Sequence, residues 1–574
     1  MGEYTIHNVR FYDFEPKAIQ CMTYEDETNR LALSRADGTV EIWNCNCQSR
    51  PFLELVIYGD DGCSVEALVW CRGRLFSAGL HGFALEYDLT TGGIKSRIAV
   101  TGGPTWCLAL SADKQKLAAG TEGGYVCIFN VMDDGILYNK TLEKQEGRIL
   151  NICWHRNGDY IVTGSVNCIR LWSLKEGRVM RCSFGQGSSQ EIIVWCVGIL
   201  DDMTIVSGDS RGKTCFWNAE LGTITDAVET HKADVLCLTV CADQKSVYVA
   251  GVDPVIVQIS RVQTRAKKGR KECWVKSIQR SIHTHDIRAL ALTNDNKVYS
   301  GGKFICRGSM SNIIYWCAVS PQAVWVAYIV KGKLRIFQFY PPKIITMSDL
   351  EVTLESELTL KPGRSVIQMN SNPDGSVLVV LDSQHMVTAF NLDQGSSTTL
   401  PSYSSPVTAI GVHPVTRDIV VVYADMMIKE YDLAMQKYTP FCRSFLSTCS
   451  SDLTKRNSII RSVSFDPLHP NLILFSDDSS IIVLDKDKEI TNKGLDKPAK
   501  IMRSDPSLDN SNSNSSSSVV KVGSTGVFTF LKRANQVIHF SRVRNESLVS
   551  VELNPLQLLD KLPPALKVKK YGGV

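Results

Sequence analysis

The sequence predicts an all-β protein built from two tandem β-propellers. One observation is a repeating hairpin: residues 30–44 form an alternating apolar run, an Asp-Gly turn and a second alternating run that ends in an aromatic residue. The other is the spacing of that closing aromatic residue, which recurs after 44, 42, 43 and 45 residues at Trp43, Tyr87, Phe129, Trp172 and Trp217. A period of about 40 to 45 residues is typical of four-stranded propeller blades.

Each hairpin lies within a longer unit. An apolar strand precedes every hairpin, at residues 19–24, 64–70, 105–110, 149–154 and 193–200, and the residues after the aromatic position supply a fourth strand. A sixth unit covers residues 235–259, and a seventh begins at His285 and continues through Gly302. A blade buries its two faces only against neighbouring blades, so we expect these units to pack side by side into a first propeller.

The regular spacing breaks after the seventh unit. The next strand of the blade-starting type, at residues 313–321, begins only 26 residues after Ile287. Further hairpins are expected at 325–337, 377–390, 419–431 and 472–484, and the segment 527–552 is expected to form a last blade. We therefore predict a first propeller at residues 1–303 with about seven blades, and a shortened second propeller at residues 304–560 with about five. A Ser-rich insert at 506–518 interrupts the second propeller, and a basic tail follows at 561–574.

Composition narrows the classes of function. The chain has 574 residues, 44% of them hydrophobic, and a formal net charge of +4, so no global charge attracts nucleic acid or an anionic membrane. No apolar run approaches the roughly 18 residues of a membrane-spanning helix, and no secretory signal is recognisable. We expect an intracellular, soluble protein without a membrane partner. The 19 cysteines include no C-x-x-C pair, which favours buried thiols over zinc ligands.

Two segments resemble catalytic motifs and are interpreted as structural. The stretch from Gly208 to Thr214 has three residues between its glycines where a P-loop needs four, and it leads into a strand instead of a helix. His283, His285 and Asp286 precede a first strand, where such residues tie a loop to a hairpin by hydrogen bonds. With no nucleophile elbow and no zinc motif, we expect no enzymatic activity, no cofactor, no metal and no small-molecule substrate.

Basic residues cluster in two places. Arg265, Lys267, Lys268, Arg270 and Lys271 lie in what we interpret as the connection between the sixth and seventh blades. Their charge suits RNA phosphates or a nuclear-import signal, and a solvated loop is the plain alternative. Near the end of the chain, Lys567, Lys569 and Lys570 stand beside Tyr571, a combination that suits either RNA or the groove of a partner protein. We take these eight residues as candidate RNA or partner contacts.

The repeating units resemble WD repeats, which makes the predicted fold a pair of WD40-type propellers. The Trp-Asp dipeptide is replaced by Trp-Asn after Trp43 and Trp217 and by Trp-Ser after Trp172. Residues 9–12, 29–42, 76–80, 283–286 and 562–573, taken in this order, resemble the cirhin family of WD-repeat subunits of the small-subunit processome. The similarity covers nearly the whole chain.

That resemblance implies a nucleolar, and therefore nuclear, scaffold for rRNA transcription and 18S rRNA maturation. Its partners would be other propeller and helical processome subunits and the 5′ external spacer of the pre-rRNA. The resemblance also implies two seven-bladed propellers. This chain departs from that arrangement, because it lacks the end of its seventh unit and roughly a blade or more after it. The alternative is a generic WD40 adaptor, such as a ubiquitin-ligase substrate receptor, because the fold hosts many functions.

Overall fold

The computed structural model describes most of residues 17–302 and shorter stretches from 317 to 553. Gaps in the first part fall at 47–50, 60–62, 176, 178, 184–190, 267–268. The later stretches are 317–319, 325–330, 333–340, 351–356, 366–372, 375–392, 394, 396–440, 442, 459–466, 469, 471–477, 480–486, 520–525, 528–532, 536–543, 547–553.

The first part of the chain forms six four-stranded antiparallel sheets and one described two-stranded sheet, each in sequence order. Blades 1 to 3 consist of β1 (Ile19–Glu25), β2 (Arg30–Arg35), β3 (Val40–Asn44), β4 (Phe52–Ile57); β5 (Ala67–Cys71), β6 (Arg74–Ala78), β7 (Phe83–Asp88), β8 (Gly93–Ala99); β9 (Thr105–Leu110), β10 (Lys116–Thr121), β11 (Val126–Met132), β12 (Gly135–Thr141). Blades 4 to 7 consist of β13 (Asn151–Trp154), β14 (Tyr160–Gly164), β15 (Cys168–Ser173), β16 (Val179–Ser183); β17 (Val194–Ile199), β18 (Thr204–Asp209), β19 (Lys213–Asn218), β20 (Thr223–Glu229); β21 (Val235–Val240), β22 (Ser246–Gly251), β23 (Ile256–Ala266), β24 (Gly269–Arg280); β25 (Ile287–Leu292), β26 (Val298–Gly302).

The later part repeats this arrangement. Its sheets are β27 (Cys317–Val319), β28 (Trp325–Val330), β29 (Lys333–Tyr340), β30 (Glu351–Ser356); β31 (Val366–Ser371), β32 (Val377–Asp382), β33 (Val387–Asn391), β34 (Ser396–Thr399); β35 (Val407–Val412), β36 (Ile419–Tyr423), β37 (Ile428–Asp432), β38 (Lys437–Tyr438). They are followed by β39 (Ser462–Phe465), β40 (Leu472–Ser476), β41 (Ser480–Asp485), β42 (Val520–Thr525), β43 (Phe528–Lys532); β44 (Gln536–Val543), β45 (Ser547–Leu553). The prediction of an all-β propeller fold is confirmed.

One strand lies in a different blade from the one the sequence indicates. The terminal segment 527–552 is interpreted above as a single last blade, but its first strand, β43, pairs with β41 of the preceding sheet. Only β44 and β45 form a separate hairpin. The sequence does not indicate this pairing, because 34 residues lie between Asp485 and Val520. Spacing along the chain does not show which of two sheets a strand joins.

The first seven sheets close into a ring. The innermost strands β1, β5, β9, β13, β17, β21 and β25 contact one another in sequence order, and β25 contacts β1. At this closing seam the side chain of Arg288 donates a 2.8 Å hydrogen bond to Gln20 Oε1. Tyr24 stacks on Tyr299 with ring centroids 5.7 Å apart. Residues separated by 268 positions in sequence thus hold the first and seventh blades together.

The core lies between blades. At the closing seam Leu33, Trp43 and Ile19 of blade 1 pack against Ala289 and Ala291 of blade 7. Gly301 on β26 makes this approach possible, since a Cβ there would lie 2.9 Å from Ile19 Cδ1. In the same way, a Cβ at Gly208 in blade 5 would lie 2.6 Å from Val235 Cγ1 in blade 6. A small residue at the end of the second strand therefore lets the next innermost strand dock.

The recurring aromatic residue has a polar role as well as an apolar one. Trp172 Nε1 donates to Thr163 Oγ1 at 3.0 Å, and the Thr163 hydroxyl donates to Gln145 Oε1 at 2.9 Å. Trp217 Nε1 donates to Ser207 Oγ at 2.9 Å. These bonds satisfy polar groups in the interior of the blade and fix the third strand against the second.

The later part of the chain touches the far end of blades 1 and 2. Phe52 of β4 packs with Ala424 and Ile459, and the Ser383 hydroxyl donates to the Thr90 carbonyl at 2.7 Å. Thr90 lies in the turn between β7 and β8, at the end of the strands opposite to Ile19. The contact therefore leaves the Ile19 end of the first ring outside this interface.

Ring closure predicts unequal effects of two identical substitutions. Leu33 is fully buried at the closing seam, whereas Leu221 is 73% exposed. Leu33→Ala is expected to remove packing worth about 2 to 5 kcal/mol and to lower the midpoint of thermal unfolding by roughly 5 °C or more. Leu221→Ala is the matched control and is expected to change the midpoint by less than about 2 °C. Differential scanning calorimetry measures both, and equal shifts would contradict a packed seam at Leu33.

Candidate functional site

The most distinctive surface feature of the described chain is the outer hairpin of blade 6. Its strands β23 and β24 have 11 and 12 residues, whereas the outer strands β8, β12 and β20 have seven each. The hairpin stays in register from Val257 and Gln279 to the pair Ala266 and Gly269, with one bulge near Ile259. It therefore projects beyond the body of the blade.

The base of this hairpin is firmly attached to blade 5. Trp274 is buried and stacks on Phe216, with ring centroids 4.3 Å apart and an angle of 9° between the rings. Arg261 bonds to Asp202 at 2.6 Å and to Glu272 at 2.8 Å, and its guanidinium lies over the Trp274 ring. A stacked, ion-paired base holds the projecting strands in a fixed direction.

The described part of the basic stretch lies in the two strands of this hairpin, which corrects its expected location. The sequence places it in the connection between blades 6 and 7, but Arg265 and Arg270 are paired Cα partners within blade 6. The strands continue through residues whose composition suggests a loop. Lys271 pairs with Thr264, while Lys267 and Lys268 lie outside the described residues. The backbone pairing brings Arg265 and Arg270 together on opposite strands.

The second basic cluster lies outside the described residues. Lys567, Lys569 and Lys570 follow the last described strand, β45, and so does Tyr571. The Ser-rich insert at 506–518 is likewise outside. Their roles stay predictions.

The P-loop-like stretch is a turn between two strands. Asp209 Oδ1 accepts hydrogen bonds from the backbone amides of Arg211 and Lys213, and the Arg211 side chain pairs with Asp209 Oδ2 at 2.6 Å. Gly212 adopts φ +79°, and a Cβ added at this position would lie 2.2 Å from the His231 carbonyl oxygen. The amides that a P-loop would offer to phosphate are thus used within the turn.

The histidines before the innermost strands bond within the fold. His283 Nε2 lies 2.7 Å from the Ser300 hydroxyl, and His231 contacts Thr230 Oγ1 and the Val255 carbonyl oxygen. Burial lowers the pKa of both imidazoles below its ordinary value. Asp286 accepts a bond from Arg288. His283 thus ties the loop before β25 to β26, whereas Asp286 bonds to β25 itself.

Most cysteines in the described strands of the first ring are buried. Burial raises the pKa of Cys21 to about 12 and raises the pKa of Cys107, Cys196 and Cys237 further. Thiols of this kind are poor nucleophiles, because the thiolate is the reactive form. Across the described residues no three His, Cys, Asp or Glu side chains converge in a way that would hold a metal ion. A search of the same residues finds no helix with the length and apolar character to span a membrane.

A set of residues that sequence reasoning missed lies at one end of the first ring. In each blade a buried residue lies at the start of the innermost strand or just before it, and a second position follows that residue directly. We call these seven positions the ring mouth: Gln20, Glu66, Trp106, Leu150, Trp195, Leu236, Arg288. Trp106, Trp195, Leu236 and Arg288 are skipped by the strand register, as in a β-bulge, which turns a side chain out of the sheet.

Comparison with known proteins agrees with this architecture. The WD domain, G-beta repeat family matches residues 138–173, which include the end of β12 and the first three strands of blade 4. The human U3 small nucleolar RNA-associated protein 4 homolog is 26% identical over an alignment of 700 residues that covers all of both chains. The mouse protein of the same name is 27% identical with the same coverage.

The chain is similar to the human and mouse proteins over its whole length. U3 small nucleolar RNA-associated protein 4 of Saccharomyces cerevisiae is also similar, at 30% identity over 65% of this chain and 53% of the yeast protein. The alignment with the human relative is longer than the 574 residues of this chain, so the relative contains segments without a counterpart here.

Proposed function

We propose that this protein is a non-catalytic scaffold subunit of the small-subunit processome. It supports pre-rRNA transcription and processing and the maturation of 18S rRNA in the nucleolus. The observation that carries the proposal is similarity over the whole chain to proteins named for association with the U3 small nucleolar RNA. Similarity restricted to one WD repeat would support only the fold, because propellers serve many functions.

The geometry suits a scaffold. The first ring buries its apolar residues between blades and bonds several buried polar side chains within the blades, among them His283, Trp172 and Trp217. The surfaces of the ring that remain accessible to other molecules are its turns, its outer strands and the ring mouth. Surfaces of this kind bind partners without changing them chemically.

We propose a domain boundary near residue 303, with a second, shorter propeller at 304–560 and a basic tail at 561–574. Five successive sheets follow β26, and their first strands β27, β31, β35, β39 and β44 contact one another in order. The human relative contains segments that have no counterpart in this chain, which supports a second propeller that lacks part of its blades.

We also propose that the tip of the blade 6 hairpin contacts pre-rRNA, including its 5′ external spacer. Five of the seven residues from Arg265 to Lys271 are basic, which gives this segment a high local charge on a chain whose net charge is only +4. RNA phosphates bind such charges through release of counterions, with little dependence on sequence. The fixed base of the hairpin, formed by Trp274 and Arg261, lowers the entropy lost when the tip binds.

Affinity purification tests membership in the processome. A tagged copy of the full chain is expected to copurify with U3 RNA, pre-rRNA and other processome subunits from the cells that produce it. Depletion of the protein is expected to lower 18S rRNA relative to the large-subunit rRNA. Ubiquitin-ligase subunits without U3 RNA, together with unchanged 18S rRNA, would reject the scaffold and favour the WD40 adaptor.

Salt dependence tests the RNA contact separately. Arg265→Ala combined with Arg270→Ala removes two charges from paired positions. If both contact phosphate, the slope of log K against log salt falls by up to about 2 for an RNA of about 30 nucleotides. The matched control is Lys140→Ala with Lys232→Ala, which removes two exposed lysines elsewhere on the first ring. Equal slopes for the hairpin variant and the unmodified protein would exclude Arg265 and Arg270 as RNA contacts.

A further inference from the structure

The outermost strand of blade 6 has a free edge in the described sheet. β24 is the last strand in the order β21, β22, β23 and β24, so its backbone pairs on one side, with β23. Every residue from Val275 to Arg280 is exposed. We call the free side of β24, from Glu272 to Arg280, the blade 6 edge. Unpaired backbone groups on such an edge are able to pair with another extended chain.

Length and rigidity distinguish this edge from the other outer strands of the ring. The outer strands of blades 1 to 5 have five to seven residues, whereas β24 has 12. Its register with β23 continues without a bulge from Gly269 to Lys276. Trp274 anchors this stretch to blade 5 by stacking on Phe216. A long strand that is already ordered loses little entropy when a second strand pairs with it.

The two faces of the strand differ in character beside the edge. Successive side chains of a strand point to opposite faces, so Val275 lies on the face opposite to Trp274 and is 43% exposed. Val262 of β23 pairs with Cys273, on the same face as Val275, and is 45% exposed. Lys276 returns to the Trp274 face and is exposed. One face is therefore apolar and the other carries a cation.

The charge of the strand restricts what can pair with it. Lys276 and Arg280 are exposed, and the single carboxylate of β24, Glu272, already pairs with Arg261 at 2.8 Å. Basic side chains on a free edge oppose pairing with a second copy of the same strand, because like charges would meet. An acidic strand turns the same repulsion into attraction. The edge thus selects for a partner of opposite charge.

We propose that the blade 6 edge binds an extended protein segment in which apolar and acidic residues alternate. The segment adds to the sheet as a fifth strand, and its backbone amides and carbonyls pair with those of β24. Its apolar side chains pack on Val262 and Val275. Its acidic side chains meet Lys276 and, beyond the bulge next to Lys276, Arg280.

The chemistry of the edge favours protein over RNA. Single-stranded RNA binds through phosphate contacts combined with stacking of its bases on aromatic rings. β23 and β24 contain one aromatic residue, Trp274, whose ring is buried against blade 5. The exposed side chains next to the edge include two valines, which suit an apolar side chain. The blade 6 edge is distinct from the RNA contact proposed at Arg265 and Arg270, and it does not rest on the proposed processome function.

Fluorescence anisotropy with labelled peptides of about ten residues tests the proposal on the purified full chain. Three peptides share valines at alternate positions and carry glutamate, lysine or serine between them. The glutamate peptide is expected to bind at least about tenfold more tightly than the lysine peptide, because its carboxylates meet Lys276 and Arg280.

Backbone methylation of the glutamate peptide tests strand addition itself. In a strand the amides of alternate residues point to the same side, so only one of the two alternate sets faces β24. Methylating the nitrogens of that set is expected to weaken binding about tenfold or more, while methylating the other set changes binding by less than about threefold. Equal binding of the two methylated peptides would contradict backbone pairing.

Charge reversal on the protein locates the site. Lys276→Glu combined with Arg280→Glu changes two exposed residues and is expected to weaken the glutamate peptide about tenfold or more and to strengthen the lysine peptide. Lys140→Glu with Arg148→Glu reverses one exposed lysine and one exposed arginine on other blades. This matched control is expected to leave binding unchanged.

A second variant tests the apolar contact without a change of charge. Val262→Ser combined with Val275→Ser is expected to weaken the glutamate peptide about fivefold or more, because less apolar area is removed from water. Equal binding of the glutamate and lysine peptides, or binding insensitive to the Lys276 and Arg280 reversal, would overturn the proposal. So would oligouridine RNA that binds and loses affinity on this reversal while the glutamate peptide does not bind. Absence of U3 RNA after copurification, with peptide binding intact, would reject the processome proposal alone.

Discussion

Packing of each blade against the next is the interaction on which the rest of this structure depends. A four-stranded sheet has two faces, and in the first ring both are covered mainly by neighbouring sheets. The last blade must therefore meet the first. Ile19, Leu33 and Trp43 against Ala289 and Ala291 provide this closure. An open ring would leave these residues and the adjoining sheet faces in water, at a cost that increases with apolar area.

Closure also explains where polar residues are found. Buried donors and acceptors cost stability unless they are bonded, so blade interiors pair indoles with hydroxyls, as at Trp172 and Thr163. The same constraint explains why motifs that look catalytic are not available for catalysis, since their polar groups are bonded within the fold. Asp209 binds the amides of its own turn, and His283 bonds to Ser300. Recognition is left to surfaces outside the packed blade interfaces, such as the projecting hairpin of blade 6.

The sequence predicts the repeat well because the repeat is encoded locally. Alternation of side chains, turn residues and the aromatic residue that ends each hairpin, such as Trp217, all lie within a few residues of one another. The basic stretch was misplaced because Gly, Lys and Arg suggest a loop, whereas pairing across β23 and β24 carries the strands through it. The ring mouth was missed for a related reason. Trp106 and Trp195 look like core residues of a strand, and the bulges that turn them outward depend on pairing with the second strand.

Hydrogen exchange of the full chain tests ring closure most directly. The amides of β1 and β25 lie at opposite ends of the first ring in sequence, and those of β13 lie in its middle. If the seventh blade packs on the first, peptides from 19–25 and 287–292 exchange as slowly as the peptide from 151–154. Exchange of β1 and β25 that is faster than that of β13 by about tenfold or more would show that blades 1 and 7 are free edges. That result would contradict the closed ring and the mouth built upon it.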